Sequence, residues 1–195
     1  MIRDSKLFDC LVGYFYTSGF YAIYPALEDT QKIRILIGIS TNKQAHDLLN
    51  AAREEQQQSL QFSHAETKKE IEGMVEKELE ESADSRPVES GVVKFIEWIR
   101  SKKLEIRAYP SQKIHAKLYI MSFNDGDRDV GRVITGSSNL TQAGLVDNLE
   151  FNVELKNSAD HEFAKRKFEE LWKDSVDVSE KYVQTIEDKT WLKQN

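Results

Sequence analysis

Cysteine is nearly absent: Cys10 stands alone in 195 residues. A single cysteine excludes an intramolecular disulfide, and beside Leu11 and Val12 it reads as a small buried hydrophobe. Long apolar runs are also missing. No stretch approaches the roughly 20 apolar residues that a membrane-spanning helix needs. The N-terminal string MIRDSKLFDC carries charge where a secretory signal would have its apolar core. Neither a lipid-anchor motif nor a basic amphipathic helix is found, and no internal repeat or low-complexity tract appears. The expectation from these absences is a cytoplasmic protein with no membrane partner.

Excess basic charge is lacking too, with a formal net charge of −6. A nucleic-acid binder normally shows a basic footprint. Location changes the weight of that number. Residues 41–90 hold twelve acids against six bases, which accounts for the whole excess, and the rest of the chain balances at 21 against 21. A neutral body with a local basic cleft can still bind phosphate.

What is present is the composition of a globular protein with a charged surface, 39% hydrophobic and 31% charged. The length suits one domain over 1–195, with 41–90 as an acidic helical elaboration. Leu11–Tyr16 and Lys32–Ile39 read as strands, with a helix between them beginning at Thr17. From Thr41 to about Ala83 the pattern is helical and polar. Its stripe of Ile71, Met74, Val75 and Leu79 suits a solvated helical pair or, alternatively, a coiled-coil arm. Ser85-Arg-Pro87 breaks that run, and Val92–Ile99 forms a short amphipathic helix. Strands are expected at Leu104–Tyr109, Ile114–Phe123, Val130–Thr135 and Leu149–Leu155. Asn124-Asp-Gly-Asp127 reads as a hairpin loop and not a calcium loop, because the twelfth position from Asp125 is Gly136. Helices follow over His161–Asp174 and Val178–Asp188. A helix over 175–195 could lead into a further domain.

Chemistry concentrates in Lys113-Ile-His-Ala-Lys117, Gly136-Ser-Ser-Asn139 and Glu150. His115 and Lys117 stand two apart on an expected strand, so their side chains leave one face together. An imidazole crowded by an ammonium is unfavourable unless an anion lies between them, and a phosphate would serve. Ser137 and Asn139 bring neutral donors on a turn whose glycine admits close approach. Glu150 could hold a histidine tautomer. Ser138 reads as a turn residue. Lys113, Arg107 and Arg132 are possible phosphate-guiding bases, equally explained as solvated strand positions. His46, His64 and His161 sit in charged helical contexts and read as exposed.

H-x-K followed by G-S-x-N, carried by His115, Lys117, Gly136, Ser137 and Asn139, resembles the signature of the phospholipase D superfamily. Glu150 matches the acidic residue that members place after the second element. The string through Leu140, Thr141, Gly144, Leu145 and Asn148, with Tyr14–Phe20 near the start, is similar to the nuclease-like branch found beside bacterial helicases and in some restriction enzymes. The resemblance spans most of 9–172. One position departs from the pattern: Ser122 stands where the signature usually has an aspartate five residues after its lysine.

The resemblance implies an α/β fold, a mixed sheet with helices on both faces. It implies a phosphodiesterase or nuclease with His115 as nucleophile and no metal or cofactor. Lys117 and Asn139 would stabilise phosphoryl oxygens, Ser137 would assist, and Glu150 would orient a histidine. This chemistry uses paired histidines and the chain has one copy, so a homodimer sharing its site is expected. Nucleic acid, DNA in preference to RNA, is the expected substrate, with a helicase domain as a further partner. A lipid phosphodiester is disfavoured by the missing anchor. The rival expectation is a non-catalytic binding or dimerisation module of a larger helicase or restriction system.

Overall fold

The computed structural model describes residues 2–13, 15–38, 86–110, 114–127, 129–141 and 143–189. The expected helical pair and coiled-coil arm at 41–83, with His46, His64 and Lys113, lie outside the described residues.

The strands are β1 (Leu7–Val12), β2 (Lys32–Gly38), β3 (Leu104–Tyr109), β4 (Leu118–Ser122), β5 (Gly131–Gly136), β6 (Asn152–Leu155) and β7 (Val176–Asp177). They form one sheet in the order β6-β5-β4-β1-β2-β3-β7. β1 pairs in parallel with β2, and β2 with β3, while the remaining neighbours are antiparallel. The sheet is mixed, as expected. The longest buried runs lie in β1 (Phe8–Val12) and β2 (Ile35–Gly38), which follows from these central strands being covered on both faces.

Helices α1 (Thr17–Ile23), α2 (Arg86–Arg100) and α4 (Ser179–Lys189) pack on one face, and α3 (Ser158–Lys173) on the other. Alternation along the strands sorts the residues. Phe8, Cys10 and Val12 point toward Phe95, Ile99 and Tyr182, while Leu11, Leu36 and Ile120 point toward Ala164, Phe168 and Trp172. The first face is dominated by aromatic contacts. Phe20 meets Phe95 edge-on at 5.1 Å and Trp98 at 5.4 Å between ring centres.

Several boundaries differ from the sequence reading, each for a local reason. β1 begins at Leu7, four residues before the expected Leu11, because the charge of Asp9 inside the strand is consumed by ion pairs. α2 begins at Arg86 and holds Pro87 in its first turn, where the missing amide hydrogen costs no helical bond. β4 begins at Leu118, not Ile114, and β6 at Asn152, not Leu149. The hairpin loop is as expected, with Gly126 at φ +96°. Cys10 is buried, and burial, with Asp9 beside it, pushes its thiol pKa well up.

His161 is not exposed. It lies buried at the start of α3, its Nε2 within 3.0 Å of Ser122 Oγ. Burial, reinforced by Lys165, lowers its pKa below the ordinary 6.5. Ser122, in the place of the usual aspartate, therefore closes a contact between β4 and α3.

Candidate active site

His115 and Lys117 lie in an extended segment, 114–117, that leads into β4 but is not paired within the sheet. Neither residue is held on a sheet face as the expected strand would hold it. His115 is exposed and Lys117 half-buried, and the Lys117 ammonium donates to the His115 carbonyl at 3.1 Å. Two glycines show where this segment sits. A Cβ built on Gly38, the last residue of β2, would stand 2.9 Å from the Ile114 carbonyl oxygen. One built on Gly13, just past β1, would stand 3.7 Å from that oxygen and 3.6 Å from Asn139 Oδ1. The H-x-K segment and the Asn139 side chain thus meet over Gly13, at the C-terminal ends of the parallel strands. Ligands of open α/β sheets bind at such ends, where the strand order changes direction.

The Gly136–Asn139 turn is fastened from several sides. The Tyr16 amide donates to the Leu140 carbonyl at 3.0 Å, and Phe15 and Leu140 form a parallel bridge. The Ser137 amide donates to the Phe151 carbonyl at 3.1 Å, and the Phe151 amide to Ser137 Oγ at 3.0 Å. The Ser137 hydroxyl also donates to the Glu150 carboxylate. Gly136 does admit a close approach, but by β6: a Cβ there would collide with the Phe151 carbonyl oxygen at 2.1 Å. The glycine serves the sheet edge, where a ligand had been expected.

The structure thus brings Ser137 to Glu150, and Asn139 to the segment that carries His115 and Lys117. Within the chain the bond that Glu150 makes is to Ser137, whose hydroxyl donates to Oε2. Of the guiding bases, Arg107 bonds Glu105 and lies over Trp172, and Arg132 pairs with Asp129 and Glu154. Both are held in ion pairs within the protein, Arg107 sharing Glu105 with Lys32.

Sequence reasoning missed Tyr119, Ser138 and Asn152. Ser138 is buried with both oxygens engaged: the Tyr119 hydroxyl donates to its carbonyl at 2.8 Å, and Asn152 Nδ2 to its Oγ at 2.7 Å. Burial, with Cys10 and Glu150 adding to it, raises the Tyr119 pKa well above the ordinary 10, so the phenol stays a donor. Tyr119 links the strand after Lys117 to the turn that carries Ser137 and Asn139. The available signal was a tyrosine on an inward position of an apolar strand, which requires a hydrogen-bond partner. Among the described residues no group of histidine, cysteine, aspartate or glutamate side chains is arranged to hold a metal ion.

A family profile described as cardiolipin synthase, PLD-like domain, matches residues 10–172, well over half of the chain. The chain belongs to this PLD-like family. Membership carries phosphodiesterase-type chemistry as the general expectation for the site. The PLD-like chain is also similar in structure to three solved proteins. One is TrmBL2, an archaeal chromatin protein described with a novel mode of DNA binding (18% identity, TM-score 0.42, 90% of this chain). This chain covers 46% of TrmBL2, under half of its length. The second is Nuc, a phospholipase D family member from Salmonella typhimurium (16% identity, TM-score 0.45, 90% of this chain and 84% of that one). The third is NucT from Helicobacter pylori (10% identity, TM-score 0.47, 90% and 85%). No curated protein matches the chain in sequence. Among the described residues no helix is long and apolar enough to cross a membrane.

Proposed function

We propose that this PLD-like chain is a metal-independent phosphodiesterase that cleaves nucleic acid, DNA in preference to RNA, at a site completed by a second copy. The observation that carries the reading is the meeting of the His115–Lys117 segment with Asn139 over Gly13.

His115 attacks phosphorus through a ring nitrogen, and the bond from phosphorus to the leaving oxygen breaks. The partner's copy of the same histidine gives that oxygen its proton. The partner histidine then takes a proton from water, the resulting hydroxide attacks phosphorus, and the P–N bond breaks to free His115. Lys117 and its copy supply positive charge to the non-bridging oxygens, with Asn139 as a neutral donor. Glu150 and Ser137 hold each other and thereby fix the turn that positions Asn139. This role is additional to the expected one, in which the Glu150 carboxylate orients a histidine. The helicase or restriction setting is proposed on the residue string around Gly136–Glu150 and Tyr14–Phe20.

The test is cleavage of single- and double-stranded DNA in excess chelator, comparing wild type with His115→Ala. Cutting by wild type and a loss on the order of 10⁴-fold in the variant is the expected result. A folded dimeric wild type that cuts nothing would replace this reading with a non-catalytic binding module. Binding to DNA should also weaken steeply with salt.

A further inference from the structure

Gly19 lies inside α1, and Gly144 inside a π-helical turn, Ala143–Asp147. Glycine weakens a helix, and neither residue has the positive φ that would call for one; among the described glycines only Gly126 does. Their neighbours give the reason. A Cβ on Gly144 would stand 2.5 Å from the Asn139 carbonyl oxygen, 3.0 Å from the Asn139 amide nitrogen and 3.1 Å from Thr141 Oγ1. A Cβ on Gly19 would stand 2.4 Å from the Leu140 carbonyl carbon and oxygen, and 2.6 Å from the Thr141 amide nitrogen. The stretch Asn139–Thr141 is thus gripped between two elements far apart in the chain. Hydrogen bonds close the same contact. The Gly144 amide donates to Thr141 Oγ1 at 2.9 Å, and the Leu145 amide to the Thr141 carbonyl at 3.0 Å. Leu140, between the two flanking residues, is fully buried.

We infer that Gly19 and Gly144 are positioning residues for the site. By admitting α1 and the π-helical turn to backbone contact, they set where the Asn139 side chain stands relative to the His115–Lys117 segment over Gly13. The inference rests on the reading of Asn139 as a donor to a phosphoryl oxygen. Such a donor works through distance and direction, and a displacement of about 1 Å can cost on the order of 10²-fold in rate. A methyl group added at either glycine meets backbone, which cannot rotate out of the way as a side chain does, so the Asn139–Thr141 stretch itself must shift. Leu140 cannot absorb that shift, because the close-packed core already holds it. Thr141 belongs to the same device: its hydroxyl accepts the Gly144 amide and so holds the π-helical turn against the stretch. Asn139 is the group that would touch substrate, and the other three residues act only through it.

The experiment is a double-mutant cycle on the full chain: Gly19→Ala and Gly144→Ala, each with and without Asn139→Ala. Two readouts are taken, cleavage of bis(p-nitrophenyl) phosphate in excess chelator and the side-chain amide signals of isotope-labelled asparagine. Asn139→Ala identifies the Asn139 signal, and circular dichroism gives the folded fraction. Each glycine variant should lose about 10²-fold in kcat with KM held, and should lose little more once Asn139 is absent. The Asn139 signal should move in both. Gly131→Ala is the control, since it overlaps the Met121 carbonyl oxygen at the far end of β5. It should leave kcat per folded molecule and the Asn139 signal unchanged. Where an alanine prevents folding, Thr141 carries the test: Thr141→Val removes the acceptor of the Gly144 amide and should lower kcat, and Thr141→Ser should restore it. Losses that multiply with that of Asn139→Ala overturn the inference, as does wild-type kcat in the glycine variants or in Thr141→Val. A wild type that cuts nothing removes the phosphodiesterase reading and leaves the amide signal to decide. A shift in both glycine variants then keeps the positioning, and an unmoved signal removes it.

Discussion

On the α3 face, Asp9 lies buried in β1 with its carboxylate held by Arg34 and Lys165. Arg34 in turn bonds Glu169 and lies 4.9 Å from the Phe168 ring centre and 5.2 Å from that of Trp172. Burial works against the Arg34 charge, yet its bonds to Asp9 and Glu169 outweigh it and raise the pKa. Past the end of the same strand the pattern reverses. His115 faces solvent, and Lys117 makes no ion pair among the described residues, reaching only a carbonyl. Charges in the first region satisfy one another and hold β1, β2 and α3 together. In the second, no counter-charge meets Lys117 among the described residues. Where charge is consumed, it stabilises the fold; where it is not, it is available for chemistry.

Removing a consumed charge should hurt stability most. Asp9→Ala strands Arg34 and Lys165, and a loss of about 3–5 kcal/mol is expected in urea unfolding. Activity per folded molecule should hold. Little change in stability would break the contrast, because the network would then be ornamental. Lys117→Ala should do the reverse. A fall of about 10²–10³-fold in kcat should accompany a stability change within about 0.5 kcal/mol, read by chelated cleavage and by unfolding. Equal losses in both assays would mean that Lys117 is structural.

Tyr119→Phe sharpens the boundary between the regions. It leaves the buried Ser138 carbonyl without its donor, and about 1–3 kcal/mol of stability should go. Because Tyr119 positions the Ser137–Asn139 turn, kcat should also fall while KM holds. Activity that is unchanged at matched folded fraction would confine Tyr119 to the core.

The smallest effect concerns pH. The pKa of His161 is lowered in the folded chain, so its contribution to stability is complete above the unfolded value of 6.5. It is lost as pH falls from there toward the folded pKa, since the unfolded chain takes the proton first. His161→Gln should flatten unfolding free energy between about pH 7.5 and about pH 5.5 relative to wild type. Parallel curves would show that the His161 environment does not perturb its titration.

Much of the fold was legible because alternation and apolar runs follow directly from burial. β2 and β3, α1 and the loop at Asn124–Asp127 fall where the pattern puts them. The misplaced start of β1 has one cause, a buried aspartate that no local pattern can neutralise. Arg34 and Lys165, which do so, lie 25 and 156 residues away. His161 was misread for the same reason, since Ser122 is 39 residues distant. At the candidate site, His115, Lys117, Ser137, Asn139 and Glu150 were legible as residue types in order. That Glu150 meets Ser137 was not.

The sequence by itself determined where most strands and helices form, because periodic burial is a local property written into each of them, while their mixed α/β arrangement followed from its resemblance to the phospholipase D superfamily. It also supplied the candidate groups, His115, Lys117, Ser137, Asn139 and Glu150, because residue types in order are read directly from the chain. Tertiary structure alone decided which of those groups are available. A charge becomes an ion pair or remains reactive according to what the fold brings within about 4 Å of it, and that distance is set by segments far apart in the chain.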